Sequence, residues 1–196
     1  MGAPRLHIVD LNGAAVGEVC NLDIIRDIAS AMLIPTQLGG GIRRLETVEQ
    51  LLKAGVERVI LSTAAVENPE LVKEACNKFS ESVIVSIDAM DGHVAIRGWR
   101  QETDLNALEF AGSMVRLGVK RFIYTDISRD GTLTEPNFTA IAEMVSAVKL
   151  PVIAAGGISS LGHLNVLKKL DVEGAIVGKA LYTGDINLKK ALAAFS

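Results

Sequence analysis

Two glycine-rich runs stand out for the chemistry their backbones allow. Leu38-Gly39-Gly40-Gly41-Ile42-Arg43 and Ala155-Gly156-Gly157-Ile158-Ser159-Ser160 each follow a short apolar stretch. Such turns expose backbone N–H groups to an anion, and a helix that follows adds its dipole. Arg43 supplies a cation beside Gly40 and Gly41, whereas Ser159 puts a hydroxyl beside Gly156 and Gly157. The apolar stretches that come next end at Ser62-Thr63-Ala64 and at Gly178-Lys179-Ala180. Together they form two composite anion sites, which fit a ligand carrying a phosphate at each end. Tight turns imposed by backbone geometry alone are the plain alternative.

Acidic residues at the carboxyl ends of apolar stretches form a second constellation: Asp10, Asp88 and Asp126. Asp88 is the best placed for proton transfer, because apolar flanks raise a carboxyl pKa toward neutrality. Thr125 precedes Asp126 and points to the opposite side of its strand, either into a site or into a satisfied structural contact. Asp130-Gly131 reads as a turn, in which Asp130 is either a loop cap or a ligand contact. Trp99, the only tryptophan, stands near Arg97 and Arg100 in a polar segment. It either stacks on a planar ligand ring or packs the loop against its support. His7, His93 and His163 show no metal-ligand spacing, so no metal is expected. His7 lies in a strand and reads as a core or supporting residue. No Walker loop, nucleophile elbow or Cys–His pair is present.

The elements that hold these residues alternate regularly. Apolar runs at 6–11, 35–38, 58–62, 83–87, 121–125, 151–155 and 175–177 read as parallel strands covered on both faces. Helical periodicity is expected at 22–32, 45–54, 70–79, 105–117, 138–148, 161–170 and 188–195. The chain also repeats itself at an offset of 116 residues: Ile8–Leu11 with Tyr124–Ile127, Gly40–Arg43 with Gly156–Ser159, and Val56–Thr63 with Val172–Lys179. A duplicated TIM (β/α)8-type α/β barrel is therefore expected, as one domain over 1–196 with halves 1–80 and 81–196. Only about seven βα units are visible. The counterpart of the Asp88 strand would place its acid about 28 residues upstream of Met1. The expectation is a barrel without its first strand and helix, whose two unpaired strand edges invite self-association.

Composition narrows the class. The chain has 196 residues, 49% of them apolar, a mean hydropathy of +0.32 and a net charge of −3. No basic run marks a nucleic-acid or anionic-membrane surface. Cys20 and Cys76 lack paired spacing and read as reduced, partly buried thiols. With no membrane-length apolar stretch and no signal-peptide pattern, a cytoplasmic protein is expected.

On these motifs the chain resembles the ProFAR (phosphoribosylformimino-aminoimidazole carboxamide ribotide) isomerases of histidine biosynthesis. It also resembles their sister, the cyclase subunit of imidazole glycerol phosphate synthase. The resemblance runs from Arg5 to Ala180 and is most specific at residues 39–43, 86–89, 98–99, 125–133 and 154–159. The run 9–14 and the pair Gly98-Trp99 favour the isomerase. The resemblance implies an aldose–ketose isomerase performing an Amadori rearrangement without cofactor or metal. It implies Asp88 as the acid of an aspartate pair, Thr125 as the family's threonine on the sixth strand, and Asp130 as its loop aspartate. The glycine-rich turns match two phosphate sites. The partner aspartate belongs to a first strand that is absent here, so weak activity is expected of this chain alone. A non-catalytic bis-phosphate-binding barrel, or a dual-substrate isomerase that also acts on phosphoribosylanthranilate with Arg97 as an extra cation, are the alternatives.

Overall fold

An apolar run without alternation is stable as a strand only where neighbours cover both of its faces, and the order of elements provides that cover. The computed structural model describes residues 2–195. Strand β1 (Leu6–Val9) is followed by helices α1 (Leu11–Val16) and α2 (Leu22–Ala31), and β2 (Thr36–Gly39) by α3 (Leu45–Lys53). After β3 (Arg58–Leu61) come α4 (Thr63–Glu67) and α5 (Pro69–Phe79), and then β4 (Val83–Met90). A hairpin of β5 (His93–Ile96) and β6 (Gln101–Asn106) leads into α6 (Ala107–Arg116). The chain continues through β7 (Phe122–Asp126), α7 (Phe138–Val148), β8 (Val152–Ala155), α8 (Leu161–Lys169) and β9 (Gly174–Ala175). It closes with α9 (Lys179–Thr183) and α10 (Leu188–Phe195).

The main strands pair in parallel in the order β1-β2-β3-β4-β7-β8-β9. Ile60, Ile84, Ile123 and Ile153, from the adjacent strands β3, β4, β7 and β8, pack together with Ile176. Side chains on one face of adjacent strands meet in this way when the sheet curls, which gives a barrel-type α/β fold with an inner apolar layer. The alternate residues Val83, Val85 and Ile87, with Phe122, Tyr124, Val152 and Ala154, join the larger core under the helices. That core includes Val48, Leu51, Val72, Met114, Ile141, Met144 and Leu167. Among the described residues β1 and β9 are not paired with each other, so each keeps one free edge.

The 116-residue repeat is visible as duplicated polar clamps. Arg5 pairs with Glu57 at 2.6 Å, and Arg121 pairs with Glu173 at 2.5 Å, at the strand starts. At the other end, Asn21 Nδ2 donates to Asp10 at 2.6 Å and Asn137 Nδ2 donates to Asp126 at 2.7 Å. Gly40 and Gly156 occupy matching positions against those aspartates, with φ of +107° and +88°.

Several elements differ from expectation. The hairpin β5–β6 was legible only as a polar segment, because β6 is almost wholly exposed and shows no apolar alternation. Its pairing extends β4 to Met90, beyond the expected end at 87. The helix expected from 105 begins at Ala107, where the Asn106 side chain accepts from Leu108 N and Glu109 N. Of the two thiols expected to be partly buried, Cys76 is buried, whereas Cys20 is exposed in the loop before α2. Among the described residues, no helix is long and apolar enough to cross a membrane.

Candidate active site

The carboxyl ends of the strands and the loops after them surround a cavity of about 540 Å³. Strand periodicity decides who reaches it. On β4 the outward residues alternate with Ile84, Ser86 and Asp88, and the last two line the cavity. Thr125 sits opposite Asp88 in the β4–β7 register and also lines the cavity, while Asp126 turns the other way.

Asp88 is the centre of the polar network. Ser86 Oγ donates to its Oδ1 at 3.0 Å and Ser62 Oγ to its Oδ2 at 3.3 Å. Burial raises the Asp88 pKa above its ordinary carboxylate value, against hydrogen bonds from Trp99, Ser86, Thr125 and Ser62 that favour the anion. A carboxyl group held this way keeps its proton to higher pH than an ordinary carboxyl does and can deliver it to a substrate oxygen. Trp99 reaches it from the β5–β6 turn, where Arg97, Gly98 and Trp99 all have positive φ (57°, 64° and 67°). Three successive left-handed residues are costly, and the turn is braced by its neighbours. Arg97 N donates to Thr63 Oγ1 at 2.8 Å, and the Arg97 guanidinium pairs with Glu67 at 2.9 Å.

The two glycine turns lie symmetrically about Asp88. In strand order β2 is two strands to one side of β4, and β8 is two strands to the other. On the first side Gly40, Gly41, Arg43, Ser62 and Thr63 line the cavity. Arg43 is partly held, with Nη1 3.5 Å from Glu67. On the second side Gly156, Gly157, Gly178 and Lys179 line it, and Lys179 Nζ donates to the Gly131 carbonyl at 2.7 Å. Asp130, from the loop after β7, is exposed at the same opening.

Ser159 does not line the cavity. Its Oγ donates to the Thr134 carbonyl at 3.3 Å and lies 3.5 Å from His163 Nδ1, so it braces the loop behind the turn. Asp10 and Asp126 end their strands as expected yet stay out of the cavity, 3% and 6% exposed. Asp10 accepts from Gly13 N, Cys20 N, Asn21 N and Asn21 Nδ2. Burial acts to raise its pKa, but these donors outweigh it and hold the carboxyl below its ordinary value. Both aspartates are loop clamps.

Ser86 and His7 are cavity residues that the spacing had not singled out. Ser86 is two residues before Asp88 on one strand face, so the period-2 rule identified it in principle. His7 shares the inner face of β1 with Val9, and Gln37 Nε2 lies 2.9 Å from its Nδ1. Burial lowers the His7 pKa from 6.5 to about 4. The unfolded chain therefore binds the extra proton first, and stability falls as pH drops through the window from 6.5 to about 4. The expected loss is about 3 kcal/mol by the lower end of that window. Urea midpoints measured at pH 7 and pH 4.5 should show this loss, and His7→Leu should reduce it. Equal acid sensitivity in the variant would assign the loss to other groups.

Among the described residues no cluster of three or more His, Cys, Asp or Glu is placed to hold a metal ion. The family model described as "Histidine biosynthesis protein" matches residues 1–187. The chain belongs to the histidine biosynthesis protein family. Family relatives are closely similar over almost all of its length. A protein of Dehalococcoides mccartyi is 64% identical over 191 residues, covering 97% of this chain and 81% of that relative. One of Thermoanaerobacter pseudethanolicus is 54% identical, covering 98% and 81%. One of Roseiflexus castenholzii is 52% identical, covering 99% and 82%. All three are named 1-(5-phosphoribosyl)-5-((5-phosphoribosylamino)methylideneamino) imidazole-4-carboxamide isomerase, the ProFAR isomerase.

Proposed function

We propose that the chain acts as an aldose–ketose isomerase on ProFAR, a small molecule with a phosphate at each end. The observation that carries this reading is the position of one carboxyl of raised pKa, Asp88, midway between two glycine turns that open on the same cavity. Each turn offers backbone N–H groups to one phosphate, with Arg43 and Thr63 assisting on one side and Lys179 on the other. Two anchored ends place the reacting ribose near the middle, over Asp88 and Thr125.

The Amadori step moves hydrogen without a net change in composition. Asp88 delivers its proton to the ribose ring oxygen, the C1–O bond breaks, and the ring opens to an iminium. A base then takes the C2 proton, and the enolamine tautomerises to the aminoketose. Asp88 and Asp130 are the carboxylates lining the cavity among the described residues. Asp130 belongs to the exposed loop after β7, and Asp88 to the carboxyl end of β4. In this reading Asp88 serves as the acid, and among the described residues no second strand-end aspartate lines the cavity.

Titrating the chain with ProFAR in a calorimeter while assaying product is the direct test. Binding with slow conversion is the expected result. Lys179→Ala should weaken binding about tenfold or more, because a charge-assisted contact to phosphate contributes about 1.5–3 kcal/mol. No ProFAR binding overturns the reading. Binding with no product at all leaves a phosphosugar-binding barrel and removes the enzyme.

A further inference from the structure

Glu67 ends helix α4 without lining the cavity, yet it touches two arginines that bear on the site. Its Oε1 accepts from Arg97 Nε and lies 2.9 Å from Arg97 Nη2, while its Oε2 lies 3.5 Å from Arg43 Nη1. Arg43 belongs to the first glycine turn, and Arg97 opens the turn that brings Trp99 to Asp88. The other end of α4 holds the same turn, through the Thr63 hydroxyl that accepts from Arg97 N. That hydroxyl keeps its own proton for a phosphate oxygen. A Cβ on Gly17 would lie 2.8 Å from Arg43 Cζ, so the guanidinium rests against bare backbone at the end of α1, with Glu67 as its second neighbour.

The internal repeat supplies a control. Helix α9 (Lys179–Thr183) is the counterpart of α4 (Thr63–Glu67) at the 116-residue offset and has the same length. Thr183 stands where Glu67 does, and its hydroxyl donates to the Lys179 carbonyl of its own helix at 3.0 Å. The end of this helix therefore does not need an acid, and a carboxylate there meets the negative end of the helix dipole. Stability does not explain it either, because ion pairs between side chains as exposed as Glu67, Arg43 and Arg97 contribute little to folding. What sets Glu67 apart is the pair of arginines it faces; in the other half Ser159 stands where Arg43 does.

We propose that Glu67 is a positioning residue that couples the first glycine turn to Trp99, so that a phosphate beside Arg43 fixes Trp99 over Asp88. The coupling rests on the reading of that turn as a phosphate site. Both Arg97 contacts fall on Oε1, while Oε2 faces Arg43. A phosphate dianion draws the Arg43 guanidinium to itself and frees Oε2. Arg97 then holds one oxygen with each of two N–H groups, the stronger parallel arrangement. Its turn has three successive residues of positive φ, so it keeps its shape only while such contacts hold it. Binding at one end of the substrate is thereby felt at the indole that donates to the acid.

Trp99 is the only tryptophan, so intrinsic fluorescence reads the turn directly. Inorganic phosphate added to the full chain should protect Trp99 from acrylamide quenching, with binding followed separately by calorimetry. In Glu67→Gln phosphate should still bind while the protection disappears. Its kcat for ProFAR should fall about tenfold, the effect of losing a hydrogen bond to a charged group, with KM within a few-fold. Glu67→Thr, which copies the end of α9, should behave likewise and guards against a variant that misfolds. Lys179→Ala should keep the fluorescence response, since Lys179 serves the other turn. Glu70→Gln, exposed on α5, should match the unchanged chain throughout. Phosphate that binds without changing Trp99, or that protects it equally in both Glu67 variants, overturns the coupling alone. A KM that rises while kcat holds also overturns it and places Glu67 in substrate binding. No phosphate binding at all removes the phosphate reading and the coupling with it. The phosphate arm needs no turnover, so it decides even where ProFAR conversion fails.

Discussion

Replacing Asp88 by Asn is expected to lower ProFAR conversion by about 10²–10⁴ while changing ProFAR binding only a few-fold. The amide keeps the shape and the contacts to Ser86, Ser62 and Trp99 but has no proton to deliver to the ring oxygen. The second readout separates a catalytic from a structural role. Burial raises the folded-state pKa of Asp88 above its ordinary 3.8, so the folded chain retains a proton that the unfolded chain has lost. Its contribution to stability is complete below 3.8 and is lost as pH rises through the raised value. Above the raised pKa the charged carboxylate opposes folding, so there Asp88→Asn should hold or raise the thermal midpoint. A variant that loses activity and stability together would mean that Asp88 supports the fold and the acid lies elsewhere. The rate of the unchanged chain should also fall as pH rises through the Asp88 pKa, a limb absent from any residual activity of the variant.

The glycines of the two turns should show the largest effects on stability. A Cβ on Gly40 would lie 2.3 Å from the Asp10 carbonyl oxygen, and on Gly156 2.7 Å from the Asp126 carbonyl oxygen. In both cases the obstacle is backbone, and that backbone is pinned by the buried aspartate clamp, so it cannot move aside cheaply. Positive φ adds strain for any L side chain. Gly40→Ala is therefore expected to destabilise by at least about 3 kcal/mol, and Gly156→Ala by a similar amount. Gly98→Ala is the control. It has a φ of +64° but nothing within 4 Å of the added carbon, so about 1 kcal/mol is expected. Urea unfolding of the three variants gives the comparison. Equal losses at Gly40 and Gly98 would show that backbone conformation alone, and not the close approach, demands glycine in the turns.

The contrast between Gly40 and Gly98 also shows what the chain discloses in one dimension. Apolar runs without alternation and helices of 3.6-residue period were legible because burial on both faces of a strand, or on one face of a helix, restricts residue types directly. The 116-residue repeat was legible because duplicated clamps need the same residues twice: Arg5 and Arg121, Glu57 and Glu173, Asp10 and Asp126. The hairpin β5–β6 left no such trace. Its second strand, β6, is almost wholly exposed and held by backbone hydrogen bonds, which leave side-chain identity almost free, and the buried part of β5 is only Val94–Ile96, too short to show a pattern.

Among the site residues the division is equally physical. Sequence alone picked out Gly40, Gly41, Gly156 and Gly157, since few other residues adopt their backbone, and Asp88, since an acid rarely ends an apolar run without a task. It ranked Asp88 above Asp10 and Asp126 by its apolar flanks, although all three have the same type and the same place at a strand end. Only the pleat and the curl of the sheet decide that Asp88 faces the cavity while the other two turn into loops and accept backbone hydrogen bonds. The turn at Arg97–Trp99, which brings Trp99 to Asp88, and the braced position of Ser159 are likewise tertiary outcomes. Local residue types determine which conformations are affordable, and the closing of the sheet determines which side chains meet.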